Sequence, residues 1–124
     1  MLRLITIPVS HYCEKARWAI DRTGQSFHED PYLPLFHVGA VKRAGGRRTV
    51  PVLVTPDGTL SESTDILRWA DAQLSPERRL FPDDRASEVE RWIDELDAEF
   101  GVDTRLWAYA QLLPEKPLVV KYGL

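Results

Sequence analysis

Sulfur is scarce in this chain, and long apolar runs are missing. Its 124 residues include one cysteine, Cys13. A lone cysteine excludes an internal disulfide framework and favours a reducing compartment. No stretch is long or apolar enough to span a bilayer. The first residues lack the basic, apolar and small-residue succession of a signal peptide. Basic residues do not dominate either: 16 Lys and Arg against 19 Asp and Glu leave a net charge of −3, which gives no general electrostatic attraction for nucleic acid. His11, His28 and His37 show no metal-ligand spacing with one another or with Cys13. There is no Walker-type loop, dinucleotide fingerprint or Ser-His-Asp ordering. These absences describe a cytoplasmic globular chain with no metal, no nucleic-acid partner and no membrane contact, sized for one domain or one domain with an appendage.

What is present alternates between strand and helix. Residues 2–7 are β-rich and end at Pro8, a residue without a backbone donor. From His11 to Arg22 the period becomes helical, with Cys13, Ala16 or Arg17, and Ile20 on one face. Gly24 follows as a stop. Residues 27–33 read as a second strand weakened by Pro31, and residues 36–44 carry a faint helical pattern. Residues 51–60 form a hairpin around Asp57-Gly58. A helix from Ser63 to about Leu74 has Ile66, Leu67, Ala70 and Leu74 as its inner stripe. The order βαβα then ββα predicts an α/β, thioredoxin-like domain with a mixed sheet over residues 1–74. Proline and charge mark residues 75–85 as a linker, and residues 86–124 begin an all-α segment. There Val89, Trp92, Ile93, Leu96 and Phe100 share a face. Gly101 is the expected bend before Leu106, Trp107, Ala110 and Leu113, and Pro114 and Pro117 end the segment. Trp18, Trp69, Trp92 and Trp107 fall on helical faces and read as packing residues.

Three motifs carry the chemistry. Val50-Pro51 leads straight into an apolar β run, a place where proline serves at a strand start or as a cis peptide in a tight turn. Glu62-Ser63 opens a helix, where unpaired N–H groups and the positive dipole end attract a carboxylate. Val9-Ser10-His11-Tyr12-Cys13-Glu14-Lys15-Ala16-Arg17 joins the first strand to the first helix. In that order the three resemble the N-terminal domain of the glutathione transferase family, over about residues 1–113. The third matches its S-x-[YF]-C-x-K-x-R turn.

The resemblance implies glutathione as co-substrate and a small electrophile as second substrate, with no metal. It gives Ser10 the catalytic role of donating a hydrogen bond to the glutathione sulfur; an N-cap serine with no substrate is the other reading. Glu62 and Ser63 would hold the γ-glutamyl end. Val50, ahead of a cis Pro51, would offer its backbone to the cysteinyl part. Arg48, or Arg47, would meet the glycyl carboxylate, against a plain solvated basic loop. Thiol-disulfide relatives of this fold place the reactive cysteine where Ser10 stands and its partner where Cys13 stands. Cys13 is therefore either an inert buried group or a redox thiol. The alternatives to a transferase are a non-enzymatic interaction module and a Cys13-dependent, glutaredoxin-like oxidoreductase. Members of this family add a whole helical bundle after the linker, of which only the beginning fits before Leu124. The expectation is an incomplete helical domain, native or a fragment, whose apolar stripe is covered in a homodimer.

Overall fold

The computed structural model describes residues 1–115 and 117, so the end of the expected helical segment, residue 116 and residues 118–124, lies outside the described residues. The sheet has four strands in the order β2-β1-β3-β4: β1 (Leu2–Thr6), β2 (Phe27–Pro31), β3 (Val52–Thr55) and β4 (Gly58–Leu60). β1 runs parallel to β2 and antiparallel to β3, and β3 pairs antiparallel with β4. The mixed sheet of the sequence reading is present. Both strands that contain proline or follow it are bounded by it: β2 ends at Pro31 on the sheet edge and β3 begins after Pro51, because proline cannot extend a ladder.

Both faces of the central strands are covered, which is why β1 shows no alternation of apolar and polar residues. Leu2, Leu4 and Leu53 pack with Ala16 and Ile20 of α1 (His11–Thr23) and Ile66 of α3 (Ser63–Asp71). Ile5 and Val52 face the other way, onto Ala40 and Val41 of α2 (His37–Arg43). The helix α1 stops where expected. Gly24 sits at φ 72°, and its N–H returns to Asp21 O, a left-handed cap that glycine adopts without a Cβ penalty.

The expected linker is pinned to the domain before it. The carboxylate of Asp71, itself buried, accepts the N–H groups of Leu80 (2.5 Å) and Phe81 (3.1 Å). Phe81 joins Ala19, Leu67 and Ala70 in a third apolar cluster that also receives Ala86, Val89 and Ile93. Two of those come from the stripe of α4 (Ala86–Glu95). The rest of that stripe is not covered: Trp92, Leu96 and Phe100 are about half exposed or more, as are Leu106 and Trp107 of α5 (Gly101–Leu112). Trp18 is exposed as well, with Arg22 over its ring at 5.5 Å. Of the four tryptophans expected to pack, Trp69 alone lies against a core cluster. Helical periodicity says which residues share a face, not what covers that face.

Between α4 and α5 the helix widens into a π-turn, Leu96–Phe100. The bend expected at Gly101 is thus a π-turn ending there, a feature frequent at functional sites. Tyr12 explains the glycine: a Cβ at position 101 would overlap its hydroxyl oxygen.

Candidate functional site

The start of α1 builds one end of the site. Ser10 is extended (φ −78°, ψ 121°), and its Oγ accepts the Cys13 N–H at 3.4 Å as the N-cap. Capping uses the oxygen lone pair and leaves the hydroxyl proton. Among the described residues that proton has no oxygen or nitrogen acceptor, and the neighbouring Cys13 sulfur is the group it favours when no ligand is bound. Ser10 faces a cavity of about 260 Å³ that is also lined by Ile7, Tyr12, His37 and Val50.

A second cavity of about 570 Å³ adjoins it, with Tyr12, Thr49, Val50 and Arg105 lining both. Its walls include Pro51, Glu62, Ser63, Thr64 and Asp97. The Val50–Pro51 peptide bond is cis. At the start of α3, Glu62 holds the N-cap position (φ −122°, ψ 139°) but its side chain makes no capping bond. The first intrahelical bond is Ile66 N–H to Glu62 O. The earlier N–H groups therefore remain donors toward the cavity, at the positive end of the helix dipole. The Ser63 side chain is buried and has no hydrogen-bond partner among the described residues.

Cys13, Lys15 and Arg17 of the first motif make contacts within the fold. Cys13 is fully buried in the α1 face, with the Ile7 N–H directed at its Sγ at 3.5 Å. Burial pushes its thiol up from the ordinary value, and the hydrogen bonds from Ile7 and Ser10 offset this only in part. Arg17 binds Glu29 at 2.8 Å, and Glu29 also accepts the buried Thr6 hydroxyl at 2.6 Å. Lys15 reaches across to Asp97 of the π-turn at 2.7 Å and to Thr64 at 3.1 Å. The Thr64 hydroxyl donates to Asp97 at 3.0 Å, and Tyr12 Oη donates to the Asp97 carbonyl at 3.1 Å.

Arg47 and Arg48 are exposed and line neither cavity. The backbone carbonyl of Arg48 instead lies 3.0 Å from His37 Nε2. A carbonyl only accepts, so that ring nitrogen carries a proton. Nδ1 is buried without a partner. The sequence weighed His37 only as a metal ligand, so its place in the site went unread. Arg105 and Tyr109 of α5 were also missed, since nothing local relates residues 95 and 99 positions along the chain to Ser10. No group of three or more His, Cys, Asp or Glu among the described residues is placed to hold a metal ion. No described helix is long and apolar enough to cross a membrane.

Residues 4–78 match the family described as glutathione S-transferase, N-terminal domain. The chain belongs to the glutathione S-transferase family. No curated protein matches the sequence. Solved glutathione S-transferases share the fold. One is glutathione S-transferase unclassified 2 from Bombyx mori, with TM-score 0.71 and 21% identity, covering 85% of this chain and 51% of that one. Another is a glutathione S-transferase from Methylobacillus flagellatus KT, solved with glutathione bound. It has TM-score 0.62 and 25% identity, with 78% of this chain and 49% of that chain covered. A Tau class glutathione S-transferase from mango, Mangifera indica, matches with TM-score 0.67 and 16% identity over 98% of this chain and 57% of its own. The chain spans about half the length of the first two.

Proposed function

We propose that this chain binds glutathione and activates its thiol for conjugation to an electrophile. The carrying observation is the continuity of the two cavities through Thr49 and Val50, with the Ser10 hydroxyl at one end and the α3 tip at the other. That is a trough for a short peptide with a terminal carboxylate. Ser63 and the adjoining N–H groups take the γ-glutamyl carboxylate, and Glu62 faces the ammonium. The Val50 backbone pairs with the cysteinyl residue. Arg48 takes the glycyl carboxylate, as an exposed guanidinium with no ion pair among the described residues, two positions from Val50. Ser10 then donates to the sulfur.

A free thiol, with a pKa near ~8.5, is only a few per cent thiolate at neutral pH. The Ser10 bond and the α1 dipole both favour the anion. The thiolate attacks the electrophile and displaces its leaving group. The single cysteine suits a reducing, cytoplasmic setting.

Calorimetric titration with glutathione tests the reading. Binding is expected, and Ser63→Ala is expected to weaken it about 10-fold, the size of one lost hydrogen bond to a charged group. Titration heats equal to dilution in the wild-type protein would overturn the proposal.

The same reading includes a homodimer. Trp92, Leu96, Phe100, Leu106 and Trp107 leave apolar side chains exposed along α4, the π-turn and α5, of the kind that marks association surfaces. Sedimentation at micromolar concentration is expected to show twice the chain mass, and a monomer throughout the range would remove the dimer.

A further inference from the structure

The smaller cavity has a polarity that the binding of a tripeptide does not require. None of the residues lining it is acidic, in a chain with an acidic net charge. Its polar groups are the hydroxyls of serine, threonine and tyrosine side chains, the imidazoles of His11 and His37, and the guanidinium of Arg105. Ile7, Val9, Val50 and Ala108 give it an apolar wall. Arg105 is the one permanently charged group on the lining, and among the described residues it has neither an ion pair nor a hydrogen-bond partner. Arg68, the other guanidinium lining the larger cavity, is already held by Glu90 at 2.6 Å and Asp65 at 3.3 Å.

We infer that Arg105 is a specificity-determining residue that selects electrophiles carrying a carboxylate on a compact apolar body. The inference rests on the glutathione reading of the site. A guanidinium presents a planar donor fork that matches a carboxylate in two parallel bonds. Local charge of one sign on low-dielectric walls sets which ions enter, even against the sign of the whole protein. A volume of about 260 Å³ accommodates a single substituted ring and little more. α5 supplies Thr104, Arg105, Ala108 and Tyr109 to this lining, so one helical face provides the anion contact and part of the apolar wall. In the reaction, the glutathione sulfur bonds to the ring carbon that bears a halide, and the halide leaves with the bonding pair. The carboxylate stays on Arg105 throughout and is unchanged.

Two pairs of probes test this. 3,5-Dinitrobenzoate and its methyl ester have no leaving group and report binding alone. 4-Chloro-3,5-dinitrobenzoate and its methyl ester report conjugation, each corrected for its uncatalysed rate. The wild-type protein is expected to bind the acid at least about 5-fold more tightly than the ester, and to show a similar preference in kcat/KM. Arg105→Gln is expected to bring the acid down to the level of the ester, and Arg105→Lys to keep part of the preference. Equal binding of acid and ester by the wild type overturns the inference, as does a preference that survives Arg105→Gln. A loss of glutathione affinity in Arg105→Gln as large as the loss for the acid also overturns it, by placing the guanidinium on the tripeptide. The binding arm needs no glutathione. Failure of the parent reading, seen as no heat with glutathione, is therefore distinguishable from failure of this one.

Discussion

Replacing Ser10 by alanine is expected to lower kcat/KM for conjugation by about 10- to 100-fold at mildly acidic pH, with a smaller loss at alkaline pH. A hydrogen bond to a charged acceptor contributes about 1.5–3 kcal/mol. At about 1.36 kcal/mol per unit this is one to two units in the pKa of the bound thiol. The ultraviolet absorbance of the bound thiolate should titrate that much higher in Ser10→Ala, and Ser10→Thr should restore most of the shift. The helix loses its cap in the same substitution, at about 1 kcal/mol, or about 4 °C in Tm for a chain of this size. A cap without a catalytic part would show only the fall in Tm. An unchanged thiol pKa together with an unchanged rate therefore excludes the role given to Ser10.

Cys13→Ala is the necessary companion measurement. The Cys13 thiol is enclosed, and its pKa is raised by desolvation, so it stays protonated at neutral pH and out of reach of a disulfide. Conjugation is expected to stay within about 2-fold, and no disulfide reductase activity is expected from either protein. The linkage has a definite sign. Because the folded thiol titrates above the unfolded one, the unfolded state loses its proton first as pH rises. Cys13 thus lowers folding stability above the ordinary thiol range and has no effect below it. If Cys13→Ala abolished turnover while Ser10→Ala spared it, the redox reading would replace the transferase.

The sequence was most legible where local chemistry decides structure. Gly24, the Asp57-Gly58 turn and the inner stripe Ile66, Leu67 and Ala70 each carry their own signal, and the structure places all of them as read. The N-terminal domain was legible for the same reason. Its three motifs lie in chain order on strand ends and helix starts, where spacing fixes position. Legibility fails where a residue's role depends on a distant partner. Asp71 looks like an ordinary helix acid, yet it fastens residues 80 and 81. His37 gains its meaning only from the Arg48 carbonyl and a cavity formed by four separate segments. The stripe running from α4 into the π-turn reads as one surface, but Val89 and Ile93 are partly buried against the core while Trp92, Leu96 and Phe100 are exposed. Amphipathic spacing cannot divide a face between two environments.

Asp97→Ala is expected to destabilise the protein by about 2 kcal/mol, a fall of about 8 °C in Tm, and to weaken glutathione binding as well. Asp97 joins three elements from one turn. Its carboxylate accepts from Lys15 on α1 at 2.7 Å and 3.0 Å and from Thr64 on α3 at 3.0 Å. Its carbonyl accepts from Tyr12. The ion pair is partly shielded, with side-chain exposures of 21% for Lys15 and 32% for Asp97. That places its worth above the 0–1 kcal/mol of a surface pair and below a fully enclosed one. Removing the carboxylate leaves the partly buried Lys15 ammonium with the Thr64 hydroxyl in place of its counter-charge, and such an uncompensated charge costs more than the pair itself contributes. The π-turn explains why this acid can reach both helices at once. A wider turn changes the direction of the side chain, and Gly101 lets Tyr12 come against the backbone beside it. Binding should respond because Thr64 and Asp97 line the cavity next to Ser63, so loosening the clamp frees the α3 tip proposed to hold the γ-glutamyl carboxylate. Asp97→Asn separates the two effects, keeping an acceptor for Lys15 and Thr64 while losing the charge. It should retain most of the glutathione affinity and about half of the stability. A double-mutant cycle with Lys15→Met should return a coupling of about 1–2 kcal/mol. Additive losses in that cycle would mean that α1 and the π-turn are held together by packing alone.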